Sequence, residues 1–328
     1  STVEGVGKTR SSVVSNWARN QRCVPDAVHQ PASTDEVARI VRQAHEAGQR
    51  VKVIGAGHSF TATAMTDGVM LRLDKMTQIL NVDREAGQVH VQAGATLHDF
   101  CRELDNYGLA LPNLGDIDVQ SIAGAISTAT HGTGSGLGNL ATNVVAMTLV
   151  NGKGEIVELN EGDPRISIAA VGVGALGVVC EVVLQCVPSF RLHAYETIEY
   201  LDDLLDDIPS FAESADHAEF FWMPGARRCQ VKRNQRTTED IQRPGKVAYF
   251  RDKYVAENLA FGTVCRVGRR WPSLAPRIAK LVSSSVSERD LIDDSFRVLR
   301  APASFGSLRW NTGFRSNVCQ RQFNECER

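Results

Sequence analysis

The chain has 328 residues, and 36 Lys and Arg against 38 Asp and Glu give a formal net charge of −2. That length suggests about two domains at ~150 residues each, and a composition of 43% hydrophobic and 23% charged residues is ordinary for a globular chain, which argues against disorder as its main state. Near-neutral charge provides no bulk field to gather nucleic acid or an anionic membrane, so nucleic-acid binding is excluded as the main task. No run approaches ~18 apolar residues, so no integral membrane segment is expected. Residues 1–10 carry charge with no apolar stretch behind them, which predicts no secretory signal, and the missing initiator Met predicts a processed or trimmed chain. The eight cysteines form no CxxC pair, which predicts reduced thiols in a cytoplasmic protein and no metal site.

In chain order, residues 11–30 read as an irregular lead-in. Ser33 followed three residues later by Glu36 is a capping box, and Val37, Ile40, Val41 and Ala44 fall on one helical face, with Gly48 as the stop. Val51–Ile54 reads as a strand that runs into Gly55-Ala56-Gly57-His58-Ser59-Phe60. Strands are predicted at 69–73 and 89–93, and a helix at 96–107 ended by Gly108. Residues 112–138 are rich in Gly, Ser and Thr, yet hold no Lys, Arg or Glu, which favours burial around a ligand over a solvated loop. Residues 144–150 and 155–159 read as a hairpin turned at Asn151-Gly152, and 176–187 as a long apolar strand. After 190 the chain is richer in charge and aromatics, centred on Phe220-Phe221-Trp222-Met223-Pro224, which marks a second domain.

The chemistry concentrates in the glycine-rich segments. Gly55 and Gly57 permit a tight turn in which backbone N–H groups approach an anion closely. The third glycine of a dinucleotide fingerprint and the Lys-Ser/Thr of a Walker loop are both missing, so on these residues alone a pyrophosphate cradle and a plain strand-exit turn stay open. The later segments are Asn113-Leu114-Gly115-Asp116-Ile117 and Gly124-Ala125-Ile126-Ser127-Thr128-Ala129-Thr130-His131-Gly132-Thr133-Gly134.

Together these motifs, with Val171–Gly177 and Phe220–Pro224, resemble the vanillyl-alcohol-oxidase-type flavoproteins from about residue 17 to 297. Within them the chain is similar to the sugar-1,4-lactone oxidoreductases, the L-gulonolactone and D-arabinono-lactone oxidases. The resemblance implies an α+β fold: a two-subdomain FAD-binding (PCMH-type) domain over 1–189, then an incomplete α+β substrate (cap) domain over 190–298 and a non-family tail over 299–328. It implies that Ile54, Gly55, Ala56, Gly57, His58, Ser59 and Phe60 hold the FAD pyrophosphate, with His58 covalently joined to the flavin 8α position. By the same resemblance Asn113, Gly115, Asp116 and Ile117 pass the isoalloxazine, and Ser121, Gly124, Ser127, His131, Gly132 and Thr133 follow the flavin and its ribityl-phosphate chain. The backbone of the strand from Gly177 through Val178 to Cys180 then contacts the adenine, with its side chains in the core. Gly57 and Gly132 are expected where a Cβ would strike the cofactor or φ is positive.

The implied activity is oxidation of a sugar lactone (L-gulono- or D-arabinono-1,4-lactone) by hydride transfer to flavin N5, as in ascorbate-type biosynthesis. Alternatives are an inactive flavin-binding remnant and an alditol or oligosaccharide oxidase of the same fold. The acceptor is O₂ or a cytochrome or dye; Gly115, in the place beside flavin C4a, tilts toward O₂. A cytoplasmic location is implied, with peripheral association at a membrane left open. The catalytic residues stay unassigned, because the family's terminal His-Trp-Gly is absent. Arg309-Trp310-Asn311-Thr312, read two bases later, can encode Glu-Met-Glu-Tyr, a family-like strand, so a frame-shifted and truncated product is expected.

Overall fold

The computed structural model describes residues 13–222, 226–243, 267, 270–274 and 288–300. The expected tail beyond 300, Met223, Pro224 and three of the cysteines lie outside them. Residues 14–29 are more regular than expected: β1 (Val14–Ser15) pairs with β2 (Arg22–Cys23), and β3 (Ala27–His29) follows. α1 (Thr34–Glu46) starts where the capping residues place it. Ser33 Oγ accepts from Glu36 N–H at 3.2 Å, and Glu36 returns a bond to Ala32 N–H at 2.8 Å, one residue earlier than the usual box. Gly48 takes φ +65° just past the helix end.

The chain continues through β4 (Val51–Val53), β5 (Val69–Leu71), β6 (Ile79–Asp83), β7 (Gln88–Gln92), α2 (Leu97–Asn106), β8 (Leu109–Ala110) and α3 (Ile122–Ser127). Next come β9 (Val144–Val150), β10 (Ile156–Leu159), α4 (Ile166–Ala170), β11 (Val178–Gln185) and β12 (Val187–Pro188). Strand β6 and the short helix α3 were not expected; α3 lies inside the segment read as a glycine-rich ligand wrap. The 144–159 hairpin forms, but its turn is wider than the Asn-Gly pair suggests. Val150 pairs with Ile156, Asn151 N–H bonds Glu155 O at 3.0 Å, and the residue at positive φ (+79°) is Gly154.

Three parallel strands in the order β3-β5-β4 form one small sheet, and β10-β9-β11-β7-β6 form an antiparallel one. The apolar stripe of α1 packs with Val69, Leu71, Val150, Val178 and Cys180, which fastens the two sheets together. A larger core joins α2, α3 and the five-stranded sheet through Phe100, Leu104, Ile122, Val91 and Val182.

The remaining elements are β13 (Arg191–Tyr200), α5 (Leu201–Asp206), α6 (Ile208–Glu213), β14 (His217–Phe221), β15 (Arg228–Thr237), β16 (Arg289–Asp294) and α7 (Ser295–Val298). They build a four-stranded antiparallel sheet, β14-β15-β13-β16. Its two faces follow the period of two. Phe220, Cys229 and Val231 point to α5 and α6, where Leu204 and Phe211 complete a small separate core. Leu192 and Ala194 of the opposite face join the large core, together with Phe296, Val298 and Leu299. This second sheet therefore lies against the first region with its His217, Glu219 and Lys232 face inward. Among the described residues no helix is long and apolar enough to cross a membrane, no His/Cys/Asp/Glu group has metal-site geometry, and Cys23, Cys101, Cys180, Cys186 and Cys229 are free thiols.

Candidate cofactor site

An open cleft runs between the loop after β4 and the α3–β11 side. Ile54, Gly55, Ala56, Gly57, His58 and Ser59 line one wall, and Ser121, Gly124, Ser127 and Gly177 the other. The loop is oriented by its carbonyls. Trp17 N–H donates to Gly57 O at 2.7 Å, Asn16 Nδ2 to Ser59 O at 2.9 Å and Asn20 Nδ2 to Phe60 O at 2.9 Å. Asn16 is buried to 3% exposure and also accepts from Gln21 N–H at 3.1 Å. The β1–β2 turn thus ties down the carbonyls of Gly57 and Ser59, and the amides of residues 55–59 donate to no acceptor among the described residues. Successive unpaired backbone amides in a glycine-rich turn form an anion-binding concavity.

Glycine is required on both walls. A Cβ at Gly55 would lie 2.4 Å from Ser121 Oγ, and one at Gly177 (φ +148°) 2.3 Å from Val150 O. Gly57 has φ +71°, as expected, with Asn16 and Trp17 backbone atoms 3.5 Å from its Cβ position. Val173, at the cleft edge, holds φ +51°, which is strained for a β-branched residue. His58 stacks on Trp17 with centroids 5.0 Å apart, and burial pushes its imidazole below the ordinary value and favours the neutral form.

Other expected residues stand elsewhere. Phe60 is 57% exposed and meets Trp17 edge-on rather than facing the cleft. Val178 and Cys180 turn into the α1 core, and Val179 between them lines the cleft. Strand alternation puts Val179 on the face opposite its two neighbours, and the packing of α1 decides which face meets the cleft. Burial pushes the Cys180 thiol up to about 12, so it stays an unreactive core group. The wall residues that sequence reasoning missed, Asn16, Lys52, Thr61, Asp74 and Gln120, carry no motif of their own.

Asn113, Gly115, Asp116, Ile117, His131, Gly132 and Thr133 do not line this cleft; they form an adjoining layer. Asn113 Nδ2 donates to Thr133 O at 3.0 Å, and a Cβ at Gly115 would lie 3.1 Å from His131 O. A Cβ at Gly132 would sit 2.1 Å from Leu114 O and 2.3 Å from Asn113 Oδ1, so the reason for that glycine is protein packing. The imidazole of His131 is turned back onto Gly132 O at 2.9 Å, and Ile117 is half-buried.

The second sheet meets this layer. His217, 1% exposed, donates from Nδ1 to Thr133 O at 2.9 Å, and burial pushes its pKa down, so it is neutral. Beside it, Lys232 Nζ lies 3.1 Å from Glu219 Oε1 and donates to Val298 O at 3.2 Å. Gln230 Nε2 donates to Glu196 Oε2 at 2.8 Å on the same face. Asp116 belongs to this group: burial raises its pKa and Glu219 adds to the rise, while Lys232 opposes them. The inner face thus offers mixed donors and acceptors, the surface a polyhydroxylated molecule needs.

Comparison with known proteins bears on both regions. Residues 25–160 match the FAD binding domain family, and residues 182–309 match the D-arabinono-1,4-lactone oxidase family, which runs past the boundary expected at 298. The chain is 39% identical over 289 residues to the L-gulono-1,4-lactone dehydrogenase of Mycobacterium tuberculosis, covering 88% of this chain and 67% of that enzyme. It is 40% identical over 218 residues to the L-gulonolactone oxidase of Bos taurus, covering 66% of this chain and 50% of that enzyme. It is 33% identical over 288 residues to the D-arabinono-1,4-lactone oxidase of Eremothecium gossypii, covering 85% of this chain and 53% of that enzyme. The chain therefore spans about two thirds of the mycobacterial relative and about half of the other two. Cholesterol oxidase from B. sterolicum shares the fold, with TM-score 0.71 and 20% identity over 85% of this chain and 57% of its own. The motifs, the glycine-walled cleft and these matches together place the chain in the family of FAD-dependent aldonolactone oxidases and dehydrogenases.

Proposed function

We propose that the protein oxidises a sugar 1,4-lactone, of the L-gulono or D-arabinono type, and passes two electrons to FAD held in the cleft. The observation that carries this reading is the run of amides at 55–59 that lines the cleft and donates to no acceptor among the described residues, in a turn that Gly57 closes at φ +71°. Those amides suit the pyrophosphate, since they give partial positive charge and directed N–H groups without a Cβ in the way. Bound FAD supplies hydride acceptance at N5, chemistry no side chain provides. Ser121, Gly124 and Ser127 on α3 flank the cofactor chain, and His58 stands at the place of the covalent link. The layer of Asn113, Gly115, Asp116, Ile117, His131, Gly132 and Thr133 supports the isoalloxazine side. Glu219, Lys232 and Glu196 face it from the second sheet and supply charged partners for substrate hydroxyls.

The test is one spectrum and one assay. The purified protein is expected to be yellow, and acid precipitation is expected to carry the flavin into the pellet. Turnover is then measured with L-gulono- and D-arabinono-1,4-lactone, with alditols as the competing substrate class, and with O₂ or a dye as acceptor. A colourless protein with an intact fold overturns the reading. Turnover of alditols but not lactones replaces the substrate.

A further inference from the structure

We propose that Trp17 is the positioning residue for His58, setting the plane of its imidazole for covalent attachment to the flavin. This rests on the reading of His58 as the attachment point. The two rings lie 5.0 Å apart at an interplanar angle of 23°. Trp17 remains 40% exposed, so its indole is not spent on a core. The ring contacts it makes are His58 on one side and Phe60 edge-on, with centroids 6.4 Å apart. Its backbone is fixed by the bond from its N–H to Gly57 O at 2.7 Å, so the stack is built into the same turn that orients the cradle.

An imidazole is usually oriented by a hydrogen bond to one of its nitrogens. Among the described residues none is made by His58, and the aromatic stack is the contact that defines its plane. A stacked ring restrains tilt yet leaves both nitrogens free, which is what an attacking nitrogen in a cleft wall needs. A carboxylate partner would stabilise the charged form instead; here burial keeps the ring neutral and nucleophilic. Attachment forms one N–C bond between an imidazole nitrogen and the 8α carbon. It breaks one C–H bond of the 8α methyl and one N–H bond of the imidazole. The two electrons released pass through the flavin to dioxygen, which takes up both protons and leaves as hydrogen peroxide.

The experiment uses the full chain made in a riboflavin-starved host, with FAD added in air. FAD binding is read from flavin fluorescence quenching, and covalent attachment from flavin fluorescence of the denatured protein on a gel, followed over time. For Trp17→Ala the attachment rate is expected to fall about three- to tenfold, the size of one aromatic pair. FAD affinity is expected to stay within about twofold, because Trp17 holds the loop through its backbone N–H, which the substitution keeps, and its side chain is largely exposed. Trp17→Phe, which keeps a stacking face, is expected to attach at close to the wild-type rate. An unchanged rate in Trp17→Ala overturns the proposal. So does a parallel loss of FAD binding and attachment in both variants, which would make Trp17 a support of the loop alone. A wild-type chain that binds FAD but shows no fluorescence after denaturation sinks the His58 reading, and this one with it.

Discussion

His58→Ala separates attachment from binding, because the cradle is built from backbone amides and not from this side chain. The variant is expected to keep FAD non-covalently and release all of it into the acid supernatant; flavin remaining in the pellet contradicts the assignment. The two glycines singled out in the sequence divide in the same way. Gly57→Val forces a β-branched residue into φ +71° within the cradle and is expected to lose flavin first. Gly132→Ala instead drives a Cβ into Leu114 O and Asn113, so roughly 1–3 kcal/mol of overpacking strain should appear as a lower thermal midpoint even without flavin. Asp118 governs an acid-range prediction. Burial opposes its charge, but hydrogen bonds from Arg300 at 2.8 Å and with His98 at 2.7 Å outweigh this and hold it below the ordinary carboxylate value. A depressed pKa gives stability that is complete above the ordinary value of ~3.9 and is lost as pH falls toward the folded value. The stability gap between wild type and Asp118→Asn, measured by denaturant unfolding, is therefore expected to be flat at neutral pH and to close below about pH 4.

Among the elements, α1 shows how local rules and packing combine. Its cap lies in the sequence itself, and Ser33→Ala is expected to cost about 1 kcal/mol in urea unfolding, since Glu36 N–H loses its acceptor. A change below a few tenths would mean that the bond from Ala32 N–H to the Glu36 carboxylate suffices as a cap. What the stripe of α1 faces was not legible, because periodicity reports a buried face and not its partner. Here the partners are a parallel sheet and the ends of β9 and β11. The turn at 151–155 shows the opposite failure. Asn-Gly is a strong local signal, but the pairing of β9 with both β10 and β11 sets the register, and Gly154 then takes the left-handed position against Ala38 and Arg42 of α1.

Across the whole molecule, the second sheet is held to the first region by His217 on Thr133 and by Leu192 and Ala194 in the shared core. Its β14 end is less well covered. Phe221 and Trp222 are 51% and 45% exposed, although Phe220, on the face toward α5 and α6, packs on Phe211 at 5.6 Å. Adjacent exposed aromatics favour association. The chain as given is expected to sediment partly as oligomers, and Phe221→Ser with Trp222→Ser to raise the monomer fraction. A monodisperse wild-type chain would show that this patch is innocuous.

The sequence by itself determined the motifs and several of the elements, among them α1, α2, the β9–β10 hairpin and β11. These follow from local causes: a glycine where a side chain would strain the turn, a capping oxygen three residues ahead of its N–H, an alternation of two or a spacing of three and four. It also carried the family, because several such segments stand in one order. The tertiary structure decided which of the candidate residues share a surface. Val179 rather than Val178 or Cys180 faces the cleft because α1 claims the other side of β11. Asn16 and Trp17, in a stretch with no regular pattern, become the clamp on the cradle because the β1–β2 turn folds across Gly57 and Ser59. Glu219 and Lys232 meet as register partners of β14 and β15, and Asp116 joins them only when the second sheet docks, across a separation in the chain that no local preference encodes.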